Sequence, residues 1–159
     1  MNGRATLSAS YLGERAHVPT TFSFARRSEE SLLAVLSRSQ PKKVLFVDDE
    51  SMLVTLGGAM LDALGYEPAA FASAEEAIAA FKENPGAYTA AFTDLTMPVM
   101  SGFEVARELL TIRSNLPVFV MSGNVERDDE LKALTLGVRE VVLKPISMEQ
   151  LRTMLERVG

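Results

Sequence analysis

Val44-Leu45-Phe46-Val47-Asp48-Asp49-Glu50 sets four consecutive apolar residues directly before three carboxylates. A run so short, apolar without alternation, reads as a strand buried on both faces, the kind found in parallel sheets. The arrangement recurs along the chain. Ala90-Ala91-Phe92-Thr93 precedes Asp94, Val118-Phe119-Val120-Met121 precedes Ser122, and Val141-Val142-Leu143 precedes Lys144. Ligands of open parallel sheets collect outside the carboxyl ends of the strands. Four strands therefore deliver Asp48, Asp49, Asp94, the Ser122 hydroxyl and the Lys144 ammonium to one edge, a set suited to a divalent cation and a phosphoryl group.

Working outward, helical patterns separate these runs. Leu53, Leu56, Met60, Leu61 and Leu64 recur at helical spacing before Gly65, and Ala74, Ala77, Ile78 and Phe81 do so before Asn84-Pro85-Gly86. Phe103, Ala106, Leu109 and Leu110 mark a third helix, Glu126 to Leu136 a fourth closed by Gly137, and Leu151, Met154, Leu155 and Val158 the last. The remaining run, Tyr66 to Phe71, contains Pro68, which lacks an N–H and suits an edge strand. Strict alternation of five strands and five helices predicts an α/β fold, a parallel sheet with helices on both faces. Five strands are too few for a closed eight-strand barrel.

A length of 159 residues fits one domain with an extension. The alternating pattern occupies residues 42–159, leaving 1–41 as an extension rich in Ser, Thr and Arg. That extension includes a strand-like Thr20-Thr21-Phe22-Ser23-Phe24, a helical stretch from Ser28 to Leu36 and a linker from Ser37 to Pro41. A formal charge of -5 argues against direct nucleic-acid contact, whose footprints are basic. The chain has no cysteine, which excludes disulfides and thiolate metal sites, and its one histidine, His17, is remote in sequence from every candidate site residue. No apolar stretch suffices to span a bilayer and no signal-peptide layout opens the chain, so a cytoplasmic location without membrane insertion is expected.

Each candidate has an ordinary structural alternative. Asp48-Asp49-Glu50 reads as a solvated strand end with an Asp or Ser51 capping the next helix. Asp94 suits a turn-former bonding its own backbone, Ser122-Gly123-Asn124 suits loop punctuation, and Lys144 suits a snorkelling surface lysine. Four such accidents at the carboxyl ends of neighbouring strands are improbable together. Two carboxylates about 4 Å apart repel by about 4 kcal/mol at an effective dielectric near 20, and a cation relieves this. An oxygen-only ligand set suggests Mg²⁺, which completes its shell with waters and phosphate oxygens. Asp94 is then the candidate nucleophile of an aspartyl phosphate, with Lys144 and Ser122 holding phosphoryl oxygens.

Residues 42–159 resemble the receiver domain of bacterial two-component response regulators. The resemblance is carried by Val47-Asp48-Asp49-Glu50, by Thr93-Asp94-Leu95-Thr96-Met97-Pro98-Val99-Met100-Ser101-Gly102, by Met121-Ser122-Gly123 and by Lys144-Pro145, in that order. It implies a doubly wound, flavodoxin-like five-stranded parallel sheet of strand order 2-1-3-4-5. It also implies Mg²⁺ bound directly by Asp49 and Asp94 and by the Thr96 carbonyl, with Asp48 acting mostly through coordinated water. Asp94 would accept the phosphoryl group from a histidine kinase or histidine phosphotransfer protein, and Lys144 would pair with the phosphate. In the family the Lys144-Pro145 bond is often cis, and switching couples Ser122 to an aromatic residue three positions before the lysine. Here that position is Val141, so a muted or differently routed change is expected across the surface of 126–158, where a phosphorylation-dependent dimer or effector would dock. Thr96 and Asn124 would influence the phosphate lifetime.

Gly3 to Ser8 followed by Thr20 to Phe24 is similar to the closing strands of a histidine-kinase ATP-binding domain, which would make the chain the C-terminal receiver of a hybrid kinase; a disordered leader is the alternative. The ATP-binding boxes and the phosphorylated-histidine motif are missing, so self-phosphorylation from ATP is not expected. With no output domain expected after Gly159, signalling would pass through protein contacts. Two other classes fit less well than a receiver or a phosphorylation-independent pseudo-receiver. A haloacid-dehalogenase-like phosphohydrolase wants an acid where Thr96 stands, and a flavin module wants a hydroxyl- and glycine-rich phosphate loop where Asp48-Asp49-Glu50 stand.

Overall fold

The structure is a computed structural model that describes residues 42–159; the expectations for residues 1–41 lie outside the described residues. Strands β1 (Lys43–Val47), β2 (Glu67–Phe71), β3 (Tyr88–Asp94), β4 (Val118–Ser122) and β5 (Glu140–Leu143) alternate with helices α1 (Ser51–Ala63), α2 (Ala74–Glu83), α3 (Gly102–Ile112), α4 (Arg127–Leu136) and α5 (Met148–Glu156). All strand pairings are parallel, and the sheet order is β2-β1-β3-β4-β5. This is the doubly wound order that the resemblance implied. No helix of the described residues is long and apolar enough to cross a membrane.

Because successive strand residues point to opposite faces, each central strand feeds two cores. Leu45 and Val47 of β1, Ala91 of β3, and Val118 and Val120 of β4 pack with Ala77, Phe81, Val105, Leu109 and Ala133 of α2, α3 and α4. Val44 and Phe46, Ala90 and Phe92, and Phe119 and Met121 pack instead with Met60 and Leu61 of α1 and Leu151, Met154 and Leu155 of α5. On that second face the Phe92 ring stacks on Phe119 at 4.7 Å and on Phe46 at 6.5 Å between centroids. Helix α1 approaches closely enough that a Cβ on Gly57 would fall 2.5 Å from the Phe46 ring.

Helix ends follow local chemistry. Ser73 and Ser147 cap α2 and α5 by accepting from the N–H of Glu76 and Gln150. Ser101 and Glu104 form a reciprocal capping box on α3. Gly137 ends α4 in the left-handed region at φ 81°, where a Cβ would be strained. Two expectations need correction. The residue preceding α1 is Glu50, which makes no side-chain capping bond, and Ser51 is already helical; neither an Asp nor Ser51 caps this helix, because Asp48 turns its oxygen to the Glu50 N–H instead. Nor is the run Val141-Val142-Leu143 buried on both faces. Strand β5 is the sheet edge, and Leu143 is 57% exposed. Pro68 does lie on the other edge strand, β2.

Replacing Phe92 by Ala should cost about 3–5 kcal/mol, since a fully buried ring between two others leaves a cavity that helices on both flanks cannot fill. Urea unfolding should show this as a lower midpoint at unchanged slope.

Candidate functional site

The strand order reverses between β1 and β3, and the crevice at such a reversal opens at the carboxyl ends of those two strands. Register places the site residues side by side. Val47 is paired with Thr93, so Asp48 and Asp94 leave the sheet as neighbours; Asp94 is paired with Met121, and Ser122 with Leu143, which brings Lys144 in from the edge. Carboxylate oxygens of Asp48, Asp49 and Asp94 lie within 4.8 Å of one another. Asp48 and Asp94 are buried, whereas Asp49 is exposed at the mouth.

Lys144 bridges the two buried acids. Its Nζ donates to Asp48 Oδ2 at 2.8 Å and to Asp94 Oδ1 at 2.9 Å. The second oxygen of each acid accepts a backbone N–H two residues on: Glu50 to Asp48 Oδ1 at 2.9 Å and Thr96 to Asp94 Oδ2 at 3.1 Å. The turn-forming reading of Asp94 is thus correct as local geometry, and it orients the carboxylate without consuming both oxygens' acceptor capacity. Lys144 is no snorkelling surface lysine. The peptide bond that follows it, Lys144-Pro145, is cis.

Burial is the largest influence on Asp94 and pushes its carboxyl above the usual carboxylate range, with the charge of Asp48 adding to the rise and the hydrogen bond and charge of Lys144 opposing it. For Lys144 burial acts downward, yet the bonds and charges of Asp48 and Asp94 together outweigh it and raise the ammonium above its ordinary value. One ammonium among three close carboxylates leaves the cluster net negative. Its donors are all oxygen, so the set fits a hard divalent cation of the Mg²⁺ kind.

The cleft is lined by Asp49, Asp94, Thr96, Ser122, Asn124 and Lys144, all named from the sequence, and also by Glu50, Glu126 and Asp129, whereas Asp48 lines an apolar pocket with Phe46, Leu53 and Met60 instead. Glu126 and Asp129 had no signal as site residues, because no apolar run precedes them; they come from the start of α4. Ser122 is buried at the cleft wall, with its hydroxyl donating to the Asn124 carbonyl and accepting the Asn124 N–H at 3.3 Å. The hydroxyl makes no hydrogen bond to Asp94 or Lys144, although the Lys144 backbone N–H donates to the Ser122 carbonyl at 2.7 Å. Val141, paired with Val120, packs partly buried against the core under α2, α3 and α4.

Helix α3 starts against the backbone that follows β3. Gly102 N–H donates to the Leu95 carbonyl at 2.9 Å, and a Cβ there would stand 2.3 Å from the Asp94 carbonyl oxygen. Only glycine allows the start of this helix so near the backbone of Asp94.

With a doubly wound sheet and an acid cluster at its switch point, the class is defined. The chain belongs to the response regulator receiver domain family, whose model matches residues 44–156. Among curated proteins it is 32% identical over 116 residues to the two-component response regulator ORR24 of Oryza sativa subsp. indica, covering 73% of this chain and 18% of that protein. It is 30% identical over 123 residues to the hybrid signal transduction histidine kinase L of Dictyostelium discoideum, covering 74% of this chain and 7% of that protein. The chain therefore spans less than a fifth of the length of either relative. Among solved structures, a response regulator receiver domain protein from Clostridium thermocellum matches with a TM-score of 0.69 at 28% identity, over 73% of this chain and 92% of the other. The receiver domain of a sensor histidine kinase from Pseudomonas aeruginosa, solved with magnesium ion coordinated in its active site cleft, matches with a TM-score of 0.66 at 25% identity, over 75% and 98%.

Replacing Lys144 by Met should destabilise the fold by about 3 kcal/mol at neutral pH, because two buried carboxylates lose their partner. Without the ammonium the Asp94 carboxyl rises further above its unfolded value, so the folded state takes up a proton first as pH falls. The deficit against the parent should then narrow below neutrality, as urea unfolding across a pH series would show.

Proposed function

We propose that residues 42–159 accept a phosphoryl group on Asp94 from a phosphohistidine donor, a histidine kinase or phosphotransfer protein, and that the phosphorylated domain signals through protein contacts. The observation that carries this reading is the placement of Asp94: a buried carboxylate beside an ammonium, opening onto a cleft with two further carboxylates close by. Asp49 and Asp94, together with the Thr96 carbonyl, would hold Mg²⁺ directly and Asp48 would act through its hydration shell. When bound, the ion screens the negative charge between carboxylate and phosphoryl group and stabilises charge as transfer proceeds.

The chain's own residues perform the rest. The Thr96 N–H fixes one Asp94 oxygen, leaving the carboxylate oriented for in-line attack. An Asp94 oxygen forms the bond to phosphorus while the P–N bond of the donor breaks. Its electron pair stays on the imidazole nitrogen of the departing histidine. Lys144 follows the transferred charge: bonded to Asp94 in the free state, its ammonium turns to the new phosphoryl oxygens. The Ser122 hydroxyl must give up the Asn124 carbonyl to donate to the same group. Thr96 and Asn124 flank the path of a hydrolytic water and set how long the phosphate lasts.

Since β5 is an edge strand with Leu143 exposed, and Leu131 and Leu134 are exposed on α4, the surface of 126–158 is where a dimer or effector would bind. Val141 offers no ring to rotate inward, so the response there would run through the Ser122–Asn124 loop.

Incubation of the full chain with acetyl phosphate should yield one phosphoryl adduct by intact mass, dependent on Mg²⁺ and lost in Asp94→Asn. Absence of an adduct with and without Mg²⁺ would place the domain among phosphorylation-independent interaction modules. Protons and metal compete for Asp94, whose carboxyl burial raises, so calorimetric Mg²⁺ affinity should weaken as pH falls, starting above the range of a free carboxylate.

A further inference from the structure

The cleft carries more negative charge than phosphoryl acceptance uses. Besides Asp49 and Asp94 its wall includes Glu50, Glu126 and Asp129, while Lys144 is the one cationic side chain lining it among the described residues. The Lys144 charge is already divided between Asp48 and Asp94. Glu126 and Asp129 stand on the β4 side, at the start of α4. There Asp129 Oδ2 accepts the Glu126 N–H at 3.1 Å, and Glu126 Oε1 lies 3.4 Å from Asn124 Nδ2. Neither acid has a role in the transfer step, and neither is neutralised by an ion pair among the described residues.

Charges lining a cleft alter the approach of a charged ligand over about a Debye length, roughly 8 Å at physiological ionic strength. Every phosphoryl donor arrives negative. A small anionic donor is repelled by this rim, whereas a protein that brings positive side chains beside its phosphohistidine gains from it.

We propose that Glu126 and Asp129 select the donor by charge, holding back small anionic phosphoryl compounds and favouring a donor protein whose surface around the phosphohistidine carries lysine and arginine. This rests on Asp94 being the phosphoacceptor. With acetyl phosphate the same Asp94 oxygen bonds phosphorus, the P–O bond to the acetyl group breaks, and acetate leaves with the electron pair.

The test uses the full chain and the double variant Glu126→Gln, Asp129→Asn, whose amides keep the acceptor oxygens of both hydrogen bonds. Initial adduct rates at saturating Mg²⁺ are compared for acetyl phosphate and for phosphoramidate, whose protonated nitrogen offsets part of its charge. At low salt the variant should react about threefold faster with acetyl phosphate, gain less with phosphoramidate, and converge on the parent near 1 M salt. A phosphohistidine peptide flanked by lysines should react more slowly with the variant. Equal rates at low salt, or a difference that survives 1 M salt, would overturn the role of the rim while leaving Asp94 as acceptor. If no donor modifies parent or variant, the acceptor reading itself falls, and the rim's role with it.

Discussion

The ammonium of Lys144, shared between two buried carboxylates, is the interaction on which the site depends. Asp48 and Asp94 come from adjacent strands whose register leaves their side chains no distance to separate. Without a cation between them, burial and mutual repulsion would drive one to protonate. Lys144 reaches them from the sheet edge, past β4, so the acid pair is held only while β1, β3, β4 and β5 keep their order. Folding of the sheet and assembly of the site are one event.

The same geometry leaves the charge unsettled in a useful way. One ammonium cannot neutralise three acids, and the excess negative charge is what a divalent cation would answer. The two backbone N–H bonds to Asp48 and Asp94 keep the carboxylates oriented whether or not Lys144 stays with them. On the proposed function Lys144 could therefore change partners, from carboxylate to phosphoryl oxygen, without the strand ends collapsing. Gly102 contributes by letting α3 press against the Asp94–Leu95 backbone, which fixes the base of the Asp94 side chain as well as its tip.

Much of this was legible in the chain because a strand buried on both faces announces both its length and its end. Asp48, Asp94, Ser122 and Lys144 could be placed at one edge from apolar runs alone, and Pro68 identified an edge strand by its missing N–H. The reading failed where composition does not distinguish positions. Val141-Val142-Leu143 is as apolar as a central strand, yet no strand lies beyond β5 among the described residues, and Leu143 is exposed. The hydroxyl partner of Ser122 and the absence of a side-chain cap on α1 depend on loop torsions that residue types do not determine. Glu126 and Asp129 look like ordinary helix-start acids, and only the path of the β4–α4 loop puts them on the cleft wall.

On the proposed function Asp94, alone among the clustered carboxylates, would be the nucleophile. Borohydride reduces an acyl phosphate to the alcohol, which would convert a phosphorylated aspartate to homoserine and can be located by tandem mass spectrometry after digestion. Homoserine is expected at position 94 alone, formed only when donor and Mg²⁺ were both present. Homoserine at position 48 or 49, or an adduct retained on His17 and resistant to reduction, would contradict that function.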